Sequence, residues 1–158
     1  LARRSSPFAL YLDTSALVKL FVREAGSDRV RRLAGGTRGA EVLLASRLGH
    51  TEASVSFARM VHLDRLATAD LPGLLGRLDD YWETSIQEVG LTDAVLDDAR
   101  QLAQRFPLRT CDAIHLASAR EARRMLEGAF DGEVWFLAFD RALVSAAREA
   151  GFRVPAGR

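Results

Sequence analysis

The stretch Phe8-Ala9-Leu10-Tyr11-Leu12 limits the possible folds more than any other, because it is apolar without alternation and stops abruptly at Asp13. A strand with one wet face alternates apolar and polar residues. An unbroken apolar run suits a strand covered on both faces, the situation inside a parallel sheet. Thr14 and Ser15 follow as N-cap candidates for a helix carrying Leu17, Val18, Leu20 and Phe21 at helical spacing. The chain therefore opens as strand, short turn, helix.

The same alternation continues. Gly26 breaks the first helix, Ser27 can cap a second with Val30 and Leu33, and Gly35-Gly36 ends it. Val42-Leu43-Leu44 predicts a second strand. Arg47 to Val61 predicts a helix with Ala53, Phe57, Met60 and Val61 along one stripe and Glu52 beside it. A helix over Asp70 to Thr84, a strand over Ile86 to Val89 and a Thr92-capped helix over Asp93 to Phe106 come next. Pro107 closes that helix, and Arg109-Thr110-Cys111 leads into another, Asp112 to Leu126. Ala113, Ile114, Leu116, Ala117 and Ala119 make its surface small and apolar nearly all round, so it should be deeply packed. Glu133 to Phe139 reads as a fourth strand ending at Asp140, followed by a helix over Ala142 to Ala150 and a short strand at Phe152-Arg153-Val154. Strands alternating with amphipathic helices imply right-handed crossovers. The expected class is α/β, a three-layer α/β/α sandwich with a mainly parallel central sheet, in one domain spanning 1–158.

Composition removes several function classes. No apolar run approaches the roughly 20 residues of a membrane span, and Pro7 and Asp13 bound the longest near the N-terminus. By the same reading no secretory signal is expected. Cys111 is the only cysteine and His50, His62 and His115 are far apart, which leaves neither an internal disulfide nor a zinc-finger ligand set. Lys+Arg 22 against Asp+Glu 21 gives a net charge of +1, so attraction to a polyanion would need local clustering. Lys19 is the only lysine, so the cations are almost all arginine, whose planar fork suits phosphate. Heavy Arg and Ala use also fits a bacterial, cytoplasmic protein.

Open parallel sheets bind ligands beyond the carboxyl ends of their strands. Asp13 and Asp140 follow the first and fourth strands to that edge, and Asp112 opens the buried helix that reaches it. Each has a plain alternative: Asp112 and Asp140 as helix caps, Asp13 as a turn residue, Glu52 as a solvated helix residue. Carboxylates brought together repel one another unless a cation neutralises them. Oxygen-only ligands suit Mg²⁺ or Mn²⁺, and two such ions about 4 Å apart can support phosphodiester hydrolysis.

Four segments carry a family resemblance: Tyr11-Leu12-Asp13-Thr14-Ser15-Ala16-Leu17, Thr51-Glu52-Ala53, Arg109-Thr110-Cys111-Asp112-Ala113-Ile114-His115-Leu116-Ala117 and Phe139-Asp140-Arg141-Ala142-Leu143. In order and spacing they resemble PIN-domain ribonucleases, most closely the VapC toxins of bacterial toxin–antitoxin pairs, from about Phe8 to Val154. The resemblance implies an acidic quartet, Asp13, Glu52, Asp112 and Asp140, around Mg²⁺ or Mn²⁺, cleaving tRNA or rRNA to leave 5′-phosphate and 3′-hydroxyl ends. Asp13 and Asp112 are then the principal ligands, with Glu52 ligating or orienting water and Asp140 completing the site. Thr14 or Ser15 can hydrogen-bond a ligating carboxylate, and His115, one helical turn after Asp112, reads as a hydrogen-bonding support. Arg109, Arg23, Arg29 and Arg32 are the candidate RNA phosphate contacts. Many relatives carry Thr or Ser two residues before the last aspartate, where this chain has Ala138.

The resemblance further implies a VapB-like antitoxin laid in a groove of the early helices. Leu17, Leu20, Phe21, Val22, Val30 and Leu33 offer more apolar surface than one buried face needs. A homodimer or a toxin–antitoxin hetero-oligomer follows by the same analogy. Two other classes remain open: a catalytically degenerate RNA- or antitoxin-binding module, which Ala138 favours, and an aspartate-based phosphotransferase or phosphatase with Asp13 as nucleophile. The second lacks an aspartate two positions after Asp13, where Ser15 stands, and a lysine late in the sheet.

Overall fold

In the computed structural model, which describes residues 6–35 and 37–155, strand β1 (Phe8–Leu12) is buried along its whole length. Its side chains divide by parity. Ala9 and Tyr11 enter one hydrophobic core, Phe8, Leu10 and Leu12 the other. This is why the run shows no alternation: both faces of the strand are interior.

Helices α1 (Thr14–Phe21) and α2 (Ser27–Gly35) follow, then β2 (Val42–Ser46), α3 (Arg47–His62), a 3₁₀ turn (Thr68–Asp70), α4 (Leu71–Ser85) and β3 (Ile86–Val89). Helices α5 (Asp93–Arg105) and α6 (Thr110–Leu126), strand β4 (Glu133–Leu137) and α7 (Arg141–Glu149) complete the order. The sheet runs β3-β2-β1-β4 with every pairing parallel. Leu17, Val30, Phe57, Leu78 and Trp82, from α1 to α4, pack on one face. Val95, Leu102, Leu116 and Leu143, from α5 to α7, pack on the other. The architecture is the expected three layers. Helix α6 is the most enclosed, with Ala113, Leu116, Ala117, Ala119 and Ala122 all buried.

Several local expectations are corrected. Asp13, not Thr14 or Ser15, caps α1, accepting from the Ala16 amide at 2.8 Å. Ser27 is inside α2, and its hydroxyl ties the preceding turn instead, donating to the Val22 carbonyl and accepting from the Glu24 amide. Gly26 makes that turn at φ +90°, where a Cβ would stand 2.7 Å from the Phe139 ring. Helix α6 begins at Thr110, which puts Asp112 inside its first turn, not at the cap. Strand β4 stops at Leu137, because the Leu137 carbonyl is taken by the Asp13 amide and the Phe139 amide turns to Ser15 Oγ. Phe152-Arg153-Val154 is not a strand but contributes one bridge, Trp135 to Arg153.

Of the apolar residues expected to be in surplus, Leu17 and Val30 are fully buried in the core. Leu20, Phe21, Val22 and Leu33 are half-buried against it. Trp82 is buried, and Trp135 stacks on Phe8 with ring centroids 4.1 Å apart. Among the described residues, no helix is long and apolar enough to cross a membrane.

Candidate active site

The carboxyl ends of β1 and β4 and the first turn of α6 meet at one edge of the sheet, and α3 runs alongside. Asp13, Glu52, Asp112 and Asp140, each from a different part of the chain, line one cleft of about 310 Å³ there. A larger cavity of about 520 Å³, at the opposite end of β4 beside Arg123 and Glu133, holds none of the four.

Asp13 is buried, 5% exposed, with only neutral hydrogen-bond donors: the Ala16 amide and Ser15 Oγ at 2.7 Å. Burial pushes its pKa up to about 6, with neighbouring Asp112 adding to the rise and His115, Ser15 and Ala16 opposing it. Ser15 Oγ also accepts from the Phe139 amide at 3.1 Å, so one hydroxyl joins the β1–α1 turn to the segment leading to Asp140. Ala138 is buried and has no hydroxyl to share this task.

Glu52 is half-buried on α3. Burial works against its charge, but hydrogen bonds from His115 and Thr14, and the His115 charge, outweigh it and hold its pKa down to about 2. His115 Nε2 lies 2.8 Å from Glu52 Oε2, and Thr14 donates to the same oxygen. The two carboxylates thus differ in kind: Asp13 takes up a proton readily, and Glu52 does not.

Asp112 is 9% exposed and bonded by Arg109 Nε at 2.8 Å. Asp140 caps α7 through the Leu143 amide at 3.0 Å and stands 3.8 Å from Arg109 Nη2. Arg109 therefore sits across two of the four carboxylates. Its side chain is 78% exposed.

The other arginines singled out in the sequence are elsewhere. Arg23, Arg29 and Arg32 do not line this cleft; Arg23 borders a separate groove of about 400 Å³ with Phe21, Leu74 and Arg77. Cys111, next to Asp112, is exposed, and partial desolvation together with a hydrogen bond to Glu52 raises its pKa. Sequence reasoning missed Glu24, which lines the cleft and pairs with Lys19 at 2.6 Å. The available signal was Lys19 itself, four residues after Ser15 and so on the same helical face.

The donor set is all carboxylate oxygen, the chemistry of a hard divalent cation. Asp13 fits such an ion, being a buried carboxyl that has no salt-bridge partner among the described residues and ionises reluctantly. Among the described residues no three acidic, His or Cys side chains are already closed into a metal cage, and Arg109 bridges Asp112 towards Asp140. An entering cation competes with this exposed guanidinium, a weak rival because water screens it. If a divalent cation occupies the cleft, Arg109→Ala is expected to tighten Mn²⁺ binding a few-fold in calorimetry. Unchanged metal affinity would show that the pair does not compete.

A PIN-domain family model matches residues 10–149. Ribonuclease VapC45 and Ribonuclease VapC49 of Mycobacterium tuberculosis are each 33% identical over 145 residues, covering 92% of this chain and 93% of theirs. Ribonuclease VapC47 of the same species is 29% identical over 143 residues, covering 90% and 93%.

Proposed function

The chain belongs to the PIN-domain family, alongside ribonucleases of VapC type, and from that premise we propose that it is the toxin of a toxin–antitoxin pair, a metal-dependent endoribonuclease restrained by a VapB-like antitoxin. The observation that carries the reading is the convergence of Asp13, Glu52, Asp112 and Asp140 on one cleft at the carboxyl edge of a parallel sheet. Its substrate is RNA of the tRNA or rRNA class, met in the cytoplasm.

In this reading Asp13 and Asp112 hold Mg²⁺ or Mn²⁺, with Glu52 and Asp140 completing the acidic set. When bound, the ion supplies Lewis acidity at the scissile phosphate and offsets the repulsion among the carboxylates. Glu52, kept ionised by Thr14 and His115, accepts a hydrogen bond from the attacking water and orients it. Ser15 holds Asp13 and the Phe139–Asp140 segment in one frame. Arg109, displaced from Asp112, is placed to meet a phosphate of the RNA. The products carry 5′-phosphate and 3′-hydroxyl ends.

A binding module without catalysis is the second reading, favoured by the way Arg109 spans two of the acids. Antitoxin-free protein incubated with a mixed tRNA and rRNA pool separates the two. Discrete fragments that need Mg²⁺ or Mn²⁺, vanish with EDTA and carry 5′-phosphate are the expected result. RNA binding with no cleavage at saturating metal would favour the module.

A further inference from the structure

We propose that His115 is a positioning residue for Glu52, and that Tyr11 sets it by fixing which ring nitrogen carries the proton. This rests on the nuclease reading and adds to it a support that reaches through the sheet.

Tyr11 on β1, His115 on α6 and Glu52 on α3 form a line of hydrogen bonds. Tyr11 Oη lies 3.0 Å from His115 Nδ1, and His115 Nε2 lies 2.8 Å from Glu52 Oε2. Thr14 Oγ1, 3.0 Å from the same Nε2, donates to the same carboxylate oxygen. Tyr11 is fully buried and the His115 side chain is 3% exposed, so water does not stand in for either partner.

A carboxylate only accepts, so His115 can hold Glu52 only if Nε2 bears hydrogen. A neutral imidazole can carry its proton on either nitrogen, and the partner of one nitrogen selects the state of the other. The Tyr11 hydroxyl, buried 3.0 Å from Nδ1, carries a proton that it can donate there, leaving Nδ1 as the acceptor. The proton is then left on Nε2, facing Glu52. In the imidazolium both nitrogens donate and the bond to Glu52 is the same. A glutamate side chain on a helix surface otherwise samples many rotamers. Here two donors from two further elements, α6 and α1, converge on one oxygen and hold it.

His115 acts through Glu52 and touches no substrate, so the test must separate positioning from packing. His115→Gln keeps an amide donor near the Nε2 position, and His115→Asn keeps a polar group near Nδ1 only. His115→Gln should retain RNA cleavage within about fivefold of wild type. His115→Asn should lose about 10- to 100-fold in turnover or Mn²⁺ affinity, the usual range for supports of ligating groups. Tyr11→Phe should fall between them. The chain has three histidines, so ¹⁵N-histidine spectra report the ring directly. Wild type should show His115 protonated on Nε2, and Tyr11→Phe should shift it towards a mixture of tautomers. Equal losses in both His115 variants, tracking the folded fraction measured by melting, would overturn the positioning role while an active wild type leaves the nuclease reading standing. So would a Tyr11→Phe spectrum identical to wild type. A well-folded wild type that neither binds Mn²⁺ nor cuts RNA overturns the nuclease reading, and the role falls with it.

Discussion

Asp13→Asn is expected to reduce RNA cleavage by about three orders of magnitude or more, the loss that follows from removing several kcal/mol of transition-state stabilisation. The same substitution is expected to make the metal-free fold more stable at neutral pH. The sign follows from proton linkage. Burial raises the Asp13 pKa from an ordinary 3.8 to about 6, so between those values the folded state binds the proton more tightly than the unfolded chain. Stability from this group is therefore greatest below about pH 4, falls as pH rises through 4 to 6, and stays low above. The gap corresponds to on the order of 2–3 kcal/mol. Asparagine keeps an oxygen for the Ala16 amide and Ser15 Oγ but carries no charge. Denaturation at pH 8 should find Asp13→Asn more stable than wild type by roughly 2 kcal/mol, with the difference shrinking towards zero at pH 4. A variant less stable than wild type at both pH values would mean that the carboxylate is compensated in a way the geometry does not reveal. A gain in stability with a loss of activity is expected of a site whose charges are held together for binding.

The second large effect lies in the layer under the site. Phe136 is fully buried on β4, stacks on Tyr11 with ring centroids 5.3 Å apart, and meets Phe152 in a tilted pair at 5.8 Å. Phe136→Ala removes a ring from a dense aromatic row and leaves a cavity, at a cost of about 3–5 kcal/mol. Equilibrium unfolding in urea should show the unfolding free energy falling by that amount, through a lower midpoint at an unchanged slope. Because Tyr11 loses the surface it leans on, residual activity per folded molecule should also drop. A cost below about 1 kcal/mol would mean that the row collapses to fill the space.

Much of this architecture is visible in the sequence because its signals are local. The unbroken run at Phe8–Leu12 announces a strand inside a sheet, and the structure explains it as one strand feeding two cores. Thr92 caps α5 as its place in the sequence predicts, its Oγ1 accepting from the Val95 amide. Element ends were harder, since they depend on partners distant in sequence. β4 stops early because Ser15, 124 residues away, takes the Phe139 amide. α6 starts early because the backbone of Arg109, not the side chain of Asp112, fills the cap position. The same shift frees the Asp112 carboxylate to face Arg109.

At the site, the four acidic residues are legible as a set only through their order and spacing. What joins them to one another is not legible. Nothing in the sequence says that Thr14 and His115 share one oxygen of Glu52, since the three are brought together by the packing of α1, α3 and α6. The sequence marks Arg109 as a phosphate contact, whereas its pairing with Asp112 and Asp140 depends on where α6 begins and where β4 ends. Only charge marks Arg23, Arg29 and Arg32, and charge carries no information about which edge of a sheet a helix faces.

The central claim is that the acidic cleft is a divalent-cation site with Asp13 at its heart. Calorimetric titration of Mn²⁺ at pH 6 and pH 8, repeated in buffers of different ionisation enthalpy, tests it most directly, because a metal that ligates Asp13 must displace its proton. The expected result is saturable binding that releases about half a proton at pH 6 and almost none at pH 8, both lost in Asp13→Asn. Binding that persists unchanged in Asp13→Asn, or no binding by well-folded wild type at either pH, would contradict it.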